Sequence, residues 1–294
     1  MSWAELDRHL AAAPGTISVY VARLGAAPAY TRLADAPHYA ASTMKVPVLA
    51  ALYRAGEAGL LDLDMPVPVC NEFDSAQPGA PRFGNSQDDD NDDEVWDRIG
   101  SSVSLRWLAR RMIVRSSNLA TNVVLSHVGL AAVTGVWALV GARHSVTGRG
   151  IEDQVAREAG IDNVVTAADL AALFNAIALG ARRSGPGPVA GGVRGLRPVA
   201  RIAAPDTCTA MLEVLLAQER REDLAAGLPP GTRVAHKNGW VRGVRHGAGV
   251  VLPDDAPPFV IAVCATTGLA SDATRRLIAR VSAQAWAARH LLGG

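Results

Sequence analysis

Lysine is almost missing from this 294-residue chain: of its 29 Lys and Arg residues, only Lys45 and Lys237 are lysines. Arginine cannot stand in for lysine where an amine must lose its proton, because a guanidinium stays charged while a desolvated amine can act as a base. The two lysines are therefore the first places to look for chemistry. Cysteine is scarce as well. Cys70, Cys208 and Cys264 lie far apart, form no C-x-x-C and are odd in number, which excludes a disulfide framework and a thiolate metal site and predicts reduced, structural thiols. No uninterrupted apolar run approaches the roughly 18 residues of a membrane span, and the opening Met1 to Asp7 is polar where a secretion signal would be basic and then apolar. No membrane partner is expected, and the expected location is cytoplasmic. A net charge of +1, with 19% charged and 49% hydrophobic residues, is the balance of a globular protein, so nucleic acid is not an expected partner either. G-x-S-x-G, H-E-x-x-H and a G-x-G-x-x-G after a strand are all absent, which argues against an α/β-hydrolase, a zinc site and a dinucleotide site. No metal and no cofactor are expected.

What is present reads as strands at both ends of the chain around a helical middle. Residues 3–12 read as a short helix, and Thr16 to Ala22 and the stretch around Tyr30 as two strands of a hairpin-like start. An Ala/Leu-rich helix runs from Thr43 to Ala58 and ends at Gly59, followed by a polar irregular stretch from about Pro66 to Asp93. Further helices are expected over Leu105 to Val114, Asn118 to His127, Ala131 to Val140 and Thr166 to Leu179, the last opened by a Thr-x-x-Asp cap. Nine Gly or Pro residues between Gly180 and Pro198 mark a flexible boundary. Beyond it come a helix over about Thr207 to Gln218, strands over Arg233 to Val241, Arg245 to Leu252 and Phe259 to Ala265, and a helix from Asp272 to Leu292. The pattern predicts one α/β (α+β) unit spanning residues 1–294. Residues 1–41 and about 186–294 would form the α/β part, and about 42–185 an inserted, mostly helical part.

Lys45 ends Ser42-Thr43-Met44-Lys45 at the start of a predicted helix, where residues three apart share a face and the hydroxyl and amine become neighbours. A serine is a poor nucleophile until an adjacent base takes its proton, which a desolvated amine can do. Pro47 independently places Ser42 near the helix start, since proline is tolerated only in the first turn. A bare S-x-x-K arises by chance roughly once in a chain of this length at average residue usage, but this chain has only two lysines. Lys237 lies in His236-Lys237-Asn238-Gly239-Trp240, in a strand where Gly239 leaves room for a ligand along the backbone. Between the two lysines, Ser116-Ser117-Asn118 offers a hydroxyl and an amide side by side.

In that order, S-x-x-K, S-x-N and K-x-G resemble the signature of the penicillin-recognising serine enzymes, the class A β-lactamases and penicillin-binding proteins. Met112 to Asn122 is also similar to the helix-connecting segment of a class A enzyme, and the resemblance runs from about residue 15 to the C-terminus. It implies a β-lactamase-like fold: a five-stranded antiparallel sheet flanked by helices plus an all-α subdomain, with the site at their junction. It makes Ser42 the acylated nucleophile, Lys45 its base and Ser116 the donor of a proton to the leaving group. Asn118 would bind the substrate's amide arm, and Lys237 its carboxylate. The backbone N–H groups of Ser42 and Trp240, beside Asn238 and Gly239, would form the oxyanion hole. Arg245, with Arg242 as the fallback, would be a second carboxylate clamp. The implied partner is a small β-lactam, amide or ester carrying a carboxylate.

Three positions depart from the class A pattern. Asn238 stands where Thr or Ser is usual and Ser117 where Asp is usual. The best-placed Glu for activating a deacylating water, Glu152, is followed four residues later by Ala156 instead of Asn. Acylation is thus better supported than fast deacylation, which leaves a slow β-lactamase, an esterase or acyltransferase, a serine-dependent glutaminase and a binding homologue as alternatives. The run Asp88 to Glu94 invites a calcium reading, but the EF-hand positions for Gly and Glu hold Asp93 and Ile99, so a solvated acidic loop bordering the cleft is expected. His236 and His246 are expected beside the site or at the surface, and Cys264 as a buried small hydrophobe.

Overall fold

The structure is a computed structural model describing residues 2–182 and 201–293; most of the Gly/Pro-rich boundary lies outside the described residues. Five strands, β1 (Thr16–Arg23), β2 (Pro28–Arg32), β3 (Arg233–Val241), β4 (Val244–Leu252) and β5 (Phe259–Thr266), form one antiparallel sheet in the order β2-β1-β5-β4-β3. The two ends of the chain meet where Val19 pairs with Val263. β3 is an edge strand, so one row of its backbone N–H and C=O groups is not used by the sheet.

Alternation along the strands divides the core in two. Phe259, Ile261, Val263 and Ala265 of β5 face α1 (Trp3–Ala11) and the C-terminal helix Ser271–Ala287, packing with Leu6, Leu10, Ile278 and Val281. Val260, Ala262 and Cys264 face the other way, into the core shared with the helical part. Side chains on that face are mostly small, and the helix Ala167–Gly180 packs there against β1, β4 and β5. This helix falls within the stretch expected to be the helical insert, yet it serves as a layer of the sheet. Its Thr166 caps Asp169 N as the sequence predicts, while the Asp169 carboxylate turns instead to the backbone N–H groups of Arg143, His144 and Ser145. By the same alternation, Ala235, Lys237 and Gly239 of β3 point to the helical side, and Val234, His236 and Asn238 to the other.

The helical part is built on α2 (Lys45–Glu57), α3 (Leu105–Val114) and α4 (Asn118–Leu139). Leu105–Val114 has the expected bounds. The two helices expected from Asn118 onward follow one another directly in α4, separated by a kink at Gly129, whose φ of 74° is non-helical. Taken together the 22 residues have the length and apolar composition of a membrane span, but the break at Gly129 interrupts the helix. Half of the apolar window is buried in the protein, and α4 packs against α2 and α3. The three cysteines are free, with Cys208 and Cys264 buried and Cys70 exposed.

Candidate active site

The chain enters α2 through a 3-10 turn, Ala41–Met44, and not through the expected first α-turn. No side chain caps it, and Ala41 is held at φ 44°. In 3-10 geometry residues three apart eclipse one another, so Ser42 stands over Lys45, whose backbone N–H bonds to Ser42 O. Pro47 falls in the first turn of α2, where its missing N–H has no helical partner to lose. Ser42 is half-buried at the cleft surface and Lys45 is fully buried.

Ser116, in the short connection between α3 and α4, adopts φ 66° and is fully buried. Both amines of the chain reach its hydroxyl. Lys45 Nζ donates to Ser116 Oγ at 3.3 Å, to Ser116 O at 2.7 Å and to Asn118 Oδ1 at 2.9 Å. Lys237 Nζ donates to the same Oγ at 3.0 Å and to Asn238 O at 2.8 Å. Burial lowers the Lys45 amine from its ordinary range to about 7, against the opposing pull of the Asp90 and Glu152 carboxylates. Lys237 is lowered well below its ordinary range by burial and by the charge of Lys45. Two buried amines with lowered proton affinity around one hydroxyl give a proton a path between them.

Gly239 explains how close the two halves come. A Cβ there would lie 2.8 Å from Ser42 N and 3.0 Å from Thr43 N, so only glycine lets edge strand β3 lie against the Ser42 turn. Trp240 follows at the end of β3, half-buried, with the guanidiniums of Arg245 and Arg220 over its ring at 5.5 and 6.0 Å. Arg245 is not a free clamp. Its Nε donates to buried Asp223 at 2.6 Å, and Asn238 Nδ2 donates to the same carboxylate at 3.3 Å. Arg242 is exposed in the β3–β4 turn.

Glu152 lies in an Ω-loop whose neck is closed by the ion pair of buried Arg149 with Asp162 at 2.8 Å. Its backbone is strained at φ 68°. Asn122 pins the approach to it: its Oδ1 accepts from Ile151 N, its Nδ2 donates to Ile151 O and Asn85 Oδ1, and a Cβ at Gly150 would press on it at 3.0 Å. Glu152 then accepts from Asn118 Nδ2 at 3.2 Å and from Ser86 N at 2.6 Å. Ala156 is buried in the short helix Gln154–Glu158 and brings no amide side chain to this spot. Of the four non-glycine residues with positive φ among those described, Ala41, Ser116 and Glu152 border this one cleft. Such strain persists where surrounding contacts over-determine the geometry, as happens at functional sites.

The acidic run is exposed at Asp88, Asp89, Asp93 and Glu94, as a solvated loop should be, but two of its members turn inward. Asp92 is buried and paired with Arg111, while Asp90 accepts from the backbone at the start of α4. No group of His, Cys, Asp and Glu among the described residues could hold a metal ion. Both histidines near the lysine strand are buried. His246 reaches Tyr39 O, and neither ring nitrogen of His236 finds a partner among the described residues. Sequence reasoning missed Asp90, Asp223, Arg220 and the Asn85–Asn122 pair. Only Asn122 carried a local signal, since it follows Asn118 by four residues on the same helix face.

A sheet edge laid against a serine turn, with a second serine between two buried amines, is the architecture of the serine hydrolases that recognise penicillins. The chain belongs to the beta-lactamase enzyme family (Beta-lactamase2), which it matches over residues 2–288. Among solved structures it is similar to a beta-lactamase from Sphaerobacter thermophilus DSM 20745 (24% identity, TM-score 0.75, all of both chains covered). It is similar to a mutant of PBP-A in an acyl-enzyme complex with penicillin-G (23%, 0.74, covering 97% of this chain and 95% of that one). It is also similar to a mutant of the last common ancestor of Gram-negative bacteria class A beta-lactamase (21%, 0.77, 98% and 99%). At these identities the likeness is one of fold. No curated protein matches the sequence.

Proposed function

We propose that this serine hydrolase takes an acyl group from a β-lactam or a related amide or ester onto Ser42 and then hydrolyses the acyl-enzyme. The observation that carries this reading is the convergence of both lysine amines on Ser116 Oγ, at 3.3 and 3.0 Å, beside the Ser42 turn. Ser42 Oγ adds to the carbonyl carbon while its proton passes to the neutral Lys45 amine. The developing oxyanion is met by the N–H groups of Ser42 and Trp240, a type of donor whose removal costs roughly 10²–10³ in rate. As the carbon–nitrogen or carbon–oxygen bond breaks, Ser116 gives its proton to the leaving atom and is resupplied from the ammonium of Lys45. In the second half Glu152 takes a proton from water as the water oxygen adds to the ester carbon. That proton passes through solvent to Lys45, and Ser42 Oγ leaves with a proton from the Lys45 ammonium.

Asn118 and Lys237 are proposed to hold the substrate's amide arm and its anionic end. Arg220, over the face of Trp240, adds positive charge on the same side. The absence of a side-chain amide at Ala156 favours a second half slower than the first. Intact-mass measurement with penicillin-G and nitrocefin tests the reading. The wild-type chain is expected to gain the mass of one ring-opened β-lactam on the peptide holding Ser42, and Ser42→Ala to gain none. Equal labelling of both would remove Ser42 from the role. An adduct that persists in water without turnover would point to acyl transfer or a binding role.

A further inference from the structure

Asn118 is the residue that joins the two halves of the proton machinery, because its Oδ1 accepts from Lys45 and its Nδ2 donates to Glu152. It is also the first residue of α4, so whatever fixes the start of that helix fixes Asn118. Ser117 caps the helix by accepting from Ala120 N at 3.0 Å. The next two backbone donors, Asn118 N and Leu119 N, go to one oxygen of a distant residue: Asp90 Oδ2 accepts them at 2.9 and 2.8 Å, and accepts from Ser117 Oγ at 3.2 Å. The carbonyl of neighbouring Asp89 accepts from Asn118 Nδ2 at 3.1 Å, so the same loop holds both the backbone and the side chain of Asn118. A carboxylate oxygen is a favourable acceptor for the unpaired N–H groups at a helix N-terminus.

We propose that Asp90 is a positioning residue of the catalytic centre: from the 88–94 loop it seats Asn118 against Lys45 and supplies a fixed negative charge beside that amine. The charged groups around Lys45 are Asp90 from this loop, Glu152 from the Ω-loop and, across Ser116, Lys237 from β3. Next to Asp90 itself stands Asp92, which is paired with Arg111. Of the two carboxylates, Asp90 is the larger influence holding the Lys45 proton against the penalty of burial. Position 117 points at the same spot, as its hydroxyl already reaches Asp90 Oδ2, so a carboxylate placed there can return the charge from the neighbouring position.

The role in catalysis rests on Lys45 being the base, but its test does not require turnover. Because the chain has only two lysines, selective labelling of lysine Cε with carbon-13 gives two side-chain signals, and Lys45→Arg identifies one of them by its loss. In the wild-type chain the Lys45 signal is expected to titrate near 7. Asp90→Asn keeps an oxygen for the two helix amides and removes the charge. It is expected to move the Lys45 midpoint down by roughly one pH unit, and the double variant Asp90→Asn/Ser117→Asp to move it back. The pH at which acylation by nitrocefin reaches half its maximum should follow the same order. A Lys45 midpoint unchanged by Asp90→Asn would overturn the proposal, as would a shift that the double variant fails to reverse. A wild-type chain that titrates as expected but forms no acyl adduct would contradict the functional reading and leave the role of Asp90 standing.

Discussion

The two walls of the cleft treat charge in opposite ways. On the helical wall, Lys45 faces Asp90 and Glu152, and neither carboxylate is in an ion pair with an arginine among the described residues. On the strand wall, Lys237 has Asp223 nearby, but that carboxylate is committed to Arg245 and to the Asn238 amide. The first wall therefore carries surplus negative charge around a titrating amine, which suits holding and releasing a proton. The second carries Lys237, Arg245 and Arg220 against Glu222 and the engaged Asp223, which suits an anionic end of a substrate. The same residue type serves both walls; what differs is whether its counter-charge is free.

The comparison can be broken first on the strand wall. Gly239→Ala sets a methyl against backbone atoms of the nucleophile turn, which cannot swing aside as a side chain could. Acylation is expected to fall by roughly 10²–10³ through loss of oxyanion contacts, with about 1–3 kcal/mol of stability lost to overpacking, as read by stopped-flow adduct formation and melting curves. On the helical wall the expected effect is smaller and falls on the other step. Glu152→Gln is expected to leave acylation within a few-fold while slowing adduct loss by roughly 10², seen as an acyl-enzyme that accumulates in intact-mass time courses. An equal loss in both steps would mean that Glu152 serves the relay as a whole. Smallest in rate, Asp162→Ala opens the Ω-loop neck and leaves Arg149 without its ion-pair partner. About 1–3 kcal/mol of stability should be lost, and adduct loss should slow more than its formation.

How much of this could be read from the chain follows the range of each interaction. Arg233–Val241 and Leu105–Val114 have the bounds expected of them, because the residue types that favour a strand or a helix and the breakers that end it lie in the segment itself or at its ends. The five-stranded antiparallel sheet came through resemblance alone and its order β2-β1-β5-β4-β3 not at all, since β1 and β5 are joined by contacts across more than two hundred residues that leave no local mark. The 3-10 entry to α2 was hidden for the opposite reason: Ala40 and Ala41 offer no cap to announce a helix start, and the turn is held by the Gly239 strand. Lys45, Ser116 and Lys237 were legible as scarce or clustered chemistry. Asp90 looked like one more charge in an acidic run, and no local pattern singled out Asp223; each engages a partner more than twenty residues away. Arg245 was read by type and strand, but its type could not disclose that Asp223 already holds it.

The central claim is that the Lys45 amine, lowered by burial, is the base that prepares Ser42. Single-turnover acylation by nitrocefin, followed from pH 5 to 9, tests it most directly. The rate should rise about tenfold per pH unit in the acid range and level off above about 7, where Lys45 has lost its proton. A rate that stays flat across that range would contradict it.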